Sequence, residues 1–312
     1  IYLTRSLTML KIGVIGLGNI AQKAYLPVMA QMQDRVDWVL CTRQPAKLAQ
    51  LQAQYHLESG CLSFDTLLEQ PLDAVFIHTP TATHYQYVKQ ALLHGLHVFV
   101  DKPLSENPLE VAELYKLAAS KERLLTVGFN RRFAPFLQKL NHLPDKQLIN
   151  ITKTRVAKSQ PTPFAIYDLM IHTIDTALFL ADSLGTNYKI RPYCQQDANG
   201  NLQLAQLTIE TPHQLISATL NMQSGTNQEI ASLQTSHGLF TVDNLTRYTT
   251  QAAEDSRIQT AADWTPTLET RGFAPMIDAF ITALETNGAN PVPLESSLLT
   301  HQLCHEMVHF TK

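Results

Sequence analysis

The chain has 312 residues, 45% of them hydrophobic, and a formal net charge of −3. This length suits one large domain or two ordinary domains, and the composition is that of a globular protein with a sizeable core. The sequence contains no basic block, so we expect neither nucleic acid nor an anionic membrane surface as a partner. It also contains no apolar run of about 18 residues, which argues against a membrane span.

The cysteines and the first residues bear on the cellular location. The four cysteines include no CxxC pair, which favours reduced thiols in a cytoplasmic protein over a zinc site or a disulfide framework. The first eight residues, IYLTRSLT, are too short and too polar for a signal peptide. We expect the natural start near Met9.

The first third of the chain alternates short apolar runs with helical patterns. Strands that are apolar on both faces and joined by helices are typical of a parallel sheet built from βαβ units. Because such crossovers are right-handed, the sequence predicts the α/β class, with a doubly wound Rossmann domain over residues 9–130. The runs that predict strands are KIGVIG (11–16), VDWVLCT (36–42), DAVFIHT (73–79), HVFVD (97–101) and LLTVGF (124–129).

The pattern of apolar and polar residues changes after this domain. The run QLINITKTRVAK alternates polar and apolar residues, and LQLAQLTIET, HQLISATLNMQ, EIASLQT and GLFTVDN do the same between turn-forming residues. Such alternation predicts a largely antiparallel sheet with one solvated face, and two helices, at about 273–286 and 294–311, close the chain. We therefore predict an α+β domain over residues 131–312, which binds the substrate and forms a homodimer or homotetramer through its open sheet.

A glycine-rich turn, GLGNIA, follows the first predicted strand and opens a helix. Gly16 allows the tight turn, Gly18 lets a pyrophosphate approach the backbone, and Ala21 permits close packing of the helix on the strand. The N-terminus of a helix attracts phosphate groups, so we expect Asn19 and Ile20 to belong to the same site. In this strand–turn–helix context the motif predicts a dinucleotide site, although a tight turn without a ligand would use the same residues.

The end of the second strand bears on the choice between NAD and NADP. An acid at this point would bind the 2′-hydroxyl of NAD, but the strand ends in Cys41, Thr42 and Arg43. Asp37 stands at the start of the strand, the wrong end, and we interpret it as a surface residue. Since an arginine can pair with a 2′-phosphate and stack on adenine, the sequence favours NADP(H) over NAD(H). The alternative for Arg43 is a solvated loop charge.

The stretch YDLMIHTIDTALFLA (167–181) predicts one mostly apolar helix that carries three polar side chains. Asp168, His172 and Asp175 are spaced i, i+4 and i+7, which places them on one face. Burial of that face without partners would cost about 1–3 kcal/mol per group, so the face meets either water or a site. We expect Asp175 to be structural, through an ion pair or a hydrogen bond to the neighbouring strand.

Four motifs together carry a family resemblance. They are HTPTATH (78–84), VDKPL (100–104), GFNRRFAP (128–135) and DLMIHTID (168–175). In order and spacing they resemble the Gfo/Idh/MocA oxidoreductases. Within that family, the strings DKP, GFNRRFAP and RGF (271–273) look most like the bacterial members labelled MviM. The resemblance covers residues 10–180 well and implies hydride transfer between a nicotinamide cofactor and a secondary alcohol or carbonyl of a sugar, polyol or sugar derivative.

The resemblance also implies site residues by position. Lys102 matches the lysine of the family's Glu-Lys-Pro signature, and Asp168 with His172 matches its Asp-x-x-x-His pair. These three form the implied catalytic and substrate-binding set, in which Lys102 and His172 are the acid–base pair and Asp168 orients them. The implied cofactor site contains Thr79, Pro80, His84, Asp101, Lys102 and Asn130.

Two arginines and three departures complete the comparison with the family pattern. Arg131 and Arg132 match the segment that enters the interdomain cleft, where each would hold the substrate or form an interdomain salt bridge. Asp101 replaces the usual glutamate and shortens the acid. Thr81 replaces an asparagine, which puts one nicotinamide or ribose contact in doubt, and Met170 replaces a glycine of many members, which narrows the pocket above the cofactor.

The resemblance leaves three functions open. The first is an NAD(P)-dependent dehydrogenase or reductase, the second a cofactor-binding regulator, and the third a redox-neutral sugar hydrolase that oxidises its substrate only transiently. Lys153 and Arg155 share a strand face that we predict to be solvated; the alternative is that one of the two reaches the cleft. His301, His305 and His309 have the spacing of zinc ligands, but a polar helix face explains them better and we predict no metal.

Overall fold

The structure, a computed structural model, describes residues 9–181 and 184–310. The residues before Met9 and the predicted end of the last helix at residue 311 lie outside the described residues. The chain divides into two compact units. The described part of the first unit contains residues 9–105, 109–128 and 273–294, and that of the second contains residues 106–108, 129–181, 184–272 and 295–310.

A parallel sheet forms the centre of the first unit. Its strands are β1 (Leu10–Ile15), β2 (Val36–Cys41), β3 (Gly60–Cys61), β4 (Ala74–Ile77), β5 (His97–Val100) and β6 (Leu125–Val127). The order β3-β2-β1-β4-β5-β6 is that of a Rossmann fold, which confirms the predicted fold class. Strand β4 is apolar and buried throughout, and β5 is apolar and buried after its first residue, His97, as expected of a sheet covered on both faces. Strand β3 has only two residues, too few to give a pattern in the sequence.

One helix of the structure belongs to a different unit from the domain that the sequence predicts for it. In chain order they are α1 (Leu26–Met29), α2 (Pro45–Tyr55), α3 (Phe64–Leu68), α4 (His84–Leu93), α5 (Pro108–Ser120), α6 (Pro135–Asn141), α7 (Thr162–Ala165), α8 (Ile171–Leu180), α9 (Thr267–Thr270), α10 (Phe273–Thr286) and α11 (Leu294–Phe310). The predicted second domain, residues 131–312, includes α10. In the structure α10 belongs to the first unit, where the ring of Phe280 packs edge-on against Phe76 and Phe99, with centroids 5.3 and 5.5 Å away.

The second unit contains a sheet of eight strands. They are β7 (Leu148–Val156), β8 (Lys189–Gln196), β9 (Leu202–Glu210), β10 (Leu215–Ser224), β11 (Gln228–Thr235), β12 (Gly238–Asp243), β13 (Arg247–Gln251) and β14 (Ser256–Thr260). The order is β14-β13-β12-β11-β7-β10-β9-β8. The pairing of β7 with β10 is parallel and the other pairings are antiparallel. The predicted, largely antiparallel sheet is therefore confirmed.

The two faces of this sheet differ in burial. On one face, Ile151 of β7 and Ala218 of β10 are each 2% exposed, and helix α8 packs against both strands. On the opposite face, Thr152 and Thr219 are partly exposed. This is the alternation that the sequence shows in each strand. Among the described residues, no helix is both long and apolar enough to cross a membrane.

The segment predicted as one helix over 167–181 has two parts. It begins in a π-helical turn at Ile166–Met170, which continues from α7, and the α-helix proper, α8, begins only at Ile171. The prediction of a single helix is therefore wrong in its first turn. The π-turn contains Asp168, while His172 and Asp175 lie on the regular helix that follows. Because π-helical turns have i→i+5 hydrogen bonds, Asp168 does not keep the ideal helical spacing from His172.

Candidate functional site

A groove of about 480 Å³ opens at the carboxyl ends of the first-unit strands. Ligands of open α/β sheets bind at this edge, where the strand order reverses, here between β1 and β4. We call it the first-unit groove, and its lining residues are Ile15, Gly16, Leu17, Cys41, Thr42, Arg43, Gln44, Ser63, Phe64, Asp65, Thr79, Pro80, Thr83, Tyr87 and Gln90. Five of the predicted cofactor residues therefore line one groove: Gly16, Thr42, Arg43, Thr79 and Pro80.

The glycine-rich turn has the shape that a pyrophosphate needs. Gly16 has a φ of +89°, and a Cβ atom there would lie 2.3 Å from the backbone nitrogen of Thr79. A Cβ atom on Gly18 would meet nothing closer than the carbonyl oxygen of Gly16 at 4.0 Å, so the protein itself does not require a glycine at residue 18. Asn19 and Ile20 are exposed at the start of a helical segment that continues through a π-helical turn, Ala21–Tyr25, into α1. The turn thus leaves open space above a helix N-terminus and fits a dinucleotide phosphate.

The outer end of the groove carries both a cation and an acid. Arg43 is exposed and Thr42 is partly buried, with its hydroxyl accepting a hydrogen bond from the Gln44 N–H at 3.4 Å. Asp65, in the first turn of α3, also lines the groove. Asp37 lies at the start of β2, where it pairs in register with Lys11, and so sits away from the groove.

Several lining residues of the first-unit groove were not predicted from the sequence. Ser63, Phe64 and Asp65 follow the two-residue strand β3, and Tyr87 lies within α4. The hydroxyl of Ser63 accepts a hydrogen bond from the N–H of Thr66 and so caps α3. The only sequence signal for this cluster is that cap, because β3 is too short to reveal that the cluster follows a strand.

His84 joins two loops of the first unit. Its Nε2 lies 2.7 Å from the carbonyl oxygen of Thr79, and its Nδ1 lies 2.7 Å from the carbonyl oxygen of Pro103. The hydroxyl of Thr83 also donates to that of Thr79 at 2.8 Å. His84 therefore fixes the loop that lines the groove relative to the loop that carries Lys102.

Asp101, which replaces the family's glutamate, has a partner that the sequence analysis missed. The Tyr25 hydroxyl donates to Oδ1 of Asp101 at 3.2 Å, and the Lys102 N–H donates to the same oxygen at 2.9 Å. Burial raises the pKa of Asp101 and, well above its ordinary value, the pKa of Tyr25. A Cβ atom on Gly128 would lie 2.9 Å from the Tyr25 hydroxyl. The glycine therefore makes room for the tyrosine that reaches the shorter acid.

In the second unit, His172 contacts a buried network of charges. Nη1 of Arg131 lies 3.1 Å from Nδ1 of His172, and each residue is 8% exposed. Nε and Nη2 of Arg131 donate to the two carboxylate oxygens of Glu229 at 2.8 and 3.0 Å, and Lys153 donates to the same carboxylate. The prediction of a solvated Lys153 is therefore wrong, since only 3% of this residue is exposed.

The pKa values in this network follow from burial and charge. Burial alone would raise the pKa of Glu229, but the charges and hydrogen bonds of Arg131 and Lys153 hold it well below its ordinary range. Burial, assisted by the charge of Arg131, lowers the pKa of Lys153 to about 8. The carboxylate thus stays ionised and holds both cations.

Asp175 forms a second buried ion pair next to this network. Nη2 of Arg132 lies 2.6 Å from Oδ1 of Asp175, and the two side chains are 4% and 1% exposed. The hydroxyl of Thr300 donates to the same oxygen at 3.1 Å. The structural role predicted for Asp175 is confirmed as an ion pair, but the partner lies in the turn Asn130–Phe133 rather than in a neighbouring strand.

Asn130 is engaged within the second unit. Its amide donates to the carbonyl oxygen of Arg271 at 2.7 Å and its Oδ1 accepts from Nη1 of Arg131 at 3.1 Å. A Cβ atom on Gly272 would lie 2.1 Å from the carbonyl oxygen of Asn130. The short string RGF in the sequence thus marks the close approach of this segment to the turn that carries the two arginines.

The remaining predicted residues divide between the two units. Lys102 belongs to the first unit, and Asp168 and His172 belong to the second. That these three side chains form one catalytic set therefore stays a prediction, as do the substrate contacts of Arg131 and Arg132. Both arginines use donors on carboxylates of their own unit, which is not the interdomain salt bridge that the sequence analysis considered.

The histidines of α11 have separate environments. His301 is buried and its Nδ1 lies 2.7 Å from the carbonyl oxygen of Ser297, while burial lowers its pKa to about 4. His305 and His309 have ring centroids 3.8 Å apart. Over residues 9–181 and 184–310, no group of three or more His, Cys, Asp or Glu side chains is arranged to hold a metal ion.

Comparisons with known proteins agree with this geometry. A model of an oxidoreductase family with an NAD-binding Rossmann fold, Gfo/Idh/MocA, matches residues 10–129, and a model of a YceM-like C-terminal domain matches residues 135–253. The chain is 32% identical to the YceM protein of Salmonella typhimurium, over 94% of this chain and 95% of that protein. It is 28% identical to a dehydrogenase (MviM) of Clostridium difficile, whose crystal structure matches 97% of this chain and 100% of that one with a TM-score of 0.90.

A further relative acts on a nucleotide sugar. The UDP-N-acetylglucosamine 3-dehydrogenase of Acidithiobacillus ferrooxidans is 29% identical over 181 residues, which is 55% of this chain and 54% of that protein. This similarity covers little more than half of the chain.

Proposed function

Because the chain belongs to the Gfo/Idh/MocA family of NAD(P)-binding oxidoreductases, we propose that it transfers hydride between NADP(H) and a secondary alcohol or carbonyl of a sugar, polyol or sugar derivative. The observation that carries the proposal is the Gly16 turn at the first-unit groove. There a tight turn with φ of +89° leaves open space above Gly18 at a helix N-terminus. Bound in this groove, a nicotinamide cofactor would supply or accept the hydride.

The preference for NADP(H) rests on the outer end of the groove. Arg43 lines this end with Thr42 and Ser63, which supply a guanidinium and two hydroxyls for a 2′-phosphate. Asp65 lines the same end, and its charge would weaken binding of that phosphate. A direct comparison of the two cofactors is therefore the first experiment.

The chain's own residues would then orient the substrate and handle its proton. We propose Lys102 and His172 as the pair that acts on the hydroxyl or carbonyl oxygen, with Asp168 orienting them and balancing the lysine charge. His84 supports Lys102 through its contact with Pro103. The sugar or polyol class is supported by the relative from Acidithiobacillus ferrooxidans, which acts on a hydroxyl of a nucleotide sugar.

The proposal is tested by binding and then by turnover. NADPH and NADH are titrated separately against the purified protein, with nicotinamide fluorescence as the signal, and we expect tighter binding of NADPH. Absorbance at 340 nm (the nicotinamide signal) then follows turnover with NADP⁺ and a panel of D-glucose, myo-inositol and UDP-N-acetylglucosamine. We expect Lys102→Met and His172→Ala to abolish turnover while NADPH still binds, and unchanged turnover in both variants would overturn the mechanism.

The alternatives give distinct results in the same experiments. A regulator would bind the cofactor but turn over none of the substrates. A redox-neutral hydrolase would retain its cofactor and consume a glycoside, such as 4-nitrophenyl glucoside, without a net change in nicotinamide absorbance. Failure to bind either cofactor, in protein that carries none from purification, would remove the basis of all three functions.

We also propose a homodimer or homotetramer formed through the second-unit sheet, in the cytoplasm. The support is the partly exposed face that carries Thr152 and Thr219, whose hydroxyls suit contact with a second copy. The four cysteines are free thiols, as is usual in a reducing compartment. Sedimentation equilibrium of the wild type and of a Thr219→Lys variant tests the assembly, since a lysine on this face would favour the monomer.

A further inference from the structure

Two partners within the second unit, Glu229 and Asn130, hold Arg131 in place. Its Nε and Nη2 form a two-pronged hydrogen bond to Glu229, and its Nη1 donates to Oδ1 of Asn130 at 3.1 Å. Lys153 binds the same glutamate. A planar guanidinium paired in this way has a fixed orientation. The position of Nη1 relative to His172 therefore follows from the network and not from a free side chain.

The contact between Arg131 and His172 determines where the imidazole carries its proton. An arginine side chain has donors and no acceptor, and it stays charged at every relevant pH. With Nη1 3.1 Å from Nδ1, the histidine nitrogen must accept this hydrogen bond through its lone pair. A neutral imidazole that accepts at Nδ1 carries its proton on Nε2.

The same contact opposes the doubly protonated ring. A proton on Nδ1 would point at a guanidinium N–H, so the imidazolium form would have to break the bond to Arg131. The charged groups around His172 include Asp168 on its own segment, Arg131 from the turn Asn130–Phe133, and Glu229 and Lys153 behind that arginine. The negative charge of Asp168 would favour a protonated, positively charged ring. Against this, Nδ1 already accepts a hydrogen bond from Arg131, whose guanidinium is fixed in place.

We propose that Arg131 is a positioning residue that keeps His172 neutral, so that His172 donates a hydrogen bond from Nε2 to the reacting oxygen and Lys102 alone carries the proton. This inference rests on the function proposed above and divides the roles of its acid–base pair. In reduction, the hydride moves from the nicotinamide to the carbonyl carbon, and the ammonium group of Lys102 gives a proton to the carbonyl oxygen; oxidation is the reverse. The carbonyl becomes a carbinol and His172 keeps its own proton throughout.

The first test is the protonation state of His172 in the full-length protein. Two-bond ¹H–¹⁵N correlation spectra show which ring nitrogen of each histidine carries the proton, and the His172→Gln variant identifies the signals of His172. We expect the neutral Nε2–H form throughout about pH 5.5–8, where an ordinary histidine titrates. A proton on Nδ1, or titration of the ring near its ordinary pKa of about 6.5, would overturn the proposal without any variant of Arg131.

A pair of arginine variants tests the cause. In Arg131→Met the donor to Nδ1 is gone, and we expect His172 to titrate near its ordinary pKa of about 6.5. Arg155→Met is the matched control, because Arg155 lies on the same strand as Lys153 and donates instead to the Thr154 carbonyl. Unchanged His172 spectra in a folded Arg131→Met protein would contradict the role of Arg131.

Turnover separates a donor from a base. His172→Gln keeps an N–H donor near the position of Nε2 but has no group that takes up a proton, whereas His172→Leu has neither. We expect the glutamine variant to retain at least about a tenth of the turnover and the leucine variant to lose about 100-fold or more. Equal loss in the two variants, both folded, would overturn the donor role. If no sugar or polyol is turned over by the wild type, the proposed function fails while the spectra still test the assignment of the proton.

Discussion

The first-unit groove and the charged network around Arg131 are built by different physical means. The shape of the groove depends on the main chain, because the turn at Gly16 leaves no room for a side chain beside the backbone of Thr79. The network depends on side chains that are almost fully buried, each of which neutralises or orients another. We therefore expect the groove to tolerate changes in its exposed lining but not an added Cβ atom. The network, in contrast, should tolerate no loss of a partner.

The largest effect should come from adding one carbon atom at the turn. Gly16→Ala would place a Cβ atom 2.3 Å from the backbone of Thr79, which no rotamer can relieve. We expect NADPH to bind more than about 100-fold more weakly. We also expect the free energy of unfolding to fall by more than the cost of about 1–2 kcal/mol for an alanine in the left-handed conformation. The measurements are cofactor titration and urea denaturation.

Gly95→Ala is the control for that substitution. Gly95 has a φ of +76° with nothing within 4 Å of its Cβ position, so an alanine there carries the conformational cost without the overlap. Equal losses of stability at both sites would show that the close approach to Thr79 is unimportant.

The next effect concerns the buried ion pair of the second unit. Asp175→Ala leaves the guanidinium of Arg132 buried without its carboxylate, so we expect the free energy of unfolding to fall by about 3–5 kcal/mol. Chemical denaturation measures it. The double variant Arg132→Met/Asp175→Leu removes both charges and should regain part of the loss.

An exposed pair serves as the comparison for Asp175. Arg257 and Asp255 form an ion pair at 2.6 Å with side chains 81% and 52% exposed, and Asp255→Ala should change stability by no more than about 0.5 kcal/mol. A comparable change at the two sites would mean that burial does not distinguish the two pairs.

A third effect is a dependence of stability on pH. Lys153 has a folded-state pKa of about 8, below its ordinary 10.5, so between these values the unfolded chain binds more protons than the folded one. The free energy of unfolding of the wild type should therefore rise with pH in this window, by about 2–3 kcal/mol relative to Lys153→Met. Denaturation curves at pH 7.5, 9 and 10.5 measure the difference, and parallel pH profiles for the two proteins would show that Lys153 does not titrate there.

The smallest effect should appear at the exposed end of the groove. Arg43→Ala removes one solvent-exposed partner of the 2′-phosphate, so we expect NADPH to bind about 5–10-fold more weakly and NADH to bind as before. Lys47→Ala, on the nearby helix α2 but outside the groove lining, should leave both affinities unchanged. Equal weakening of both cofactors by Arg43→Ala would discard the preference for NADP(H).

The sequence predicted the parts of the fold that depend on neighbouring residues. The five strands of the first sheet other than β3 follow from apolar runs, and the glycine turn follows from its place between strand and helix. The π-turn at Ile166–Met170 did not follow, because its residues have an ordinary helical pattern. Strand β3 was not predicted, because two residues are too few to show the alternation of a strand.

The sequence by itself determined the fold class, the position of the glycine turn and the polar residues of the segment 167–181. Only the tertiary structure decided which charges meet: Arg131 pairs with Glu229, 98 residues away, and Arg132 pairs with Asp175, 43 residues away. It also decided that α10 joins the first unit. The physical reason is range, since propensity and periodicity act over a few residues, whereas a buried charge is neutralised by whichever partner the whole chain brings beside it.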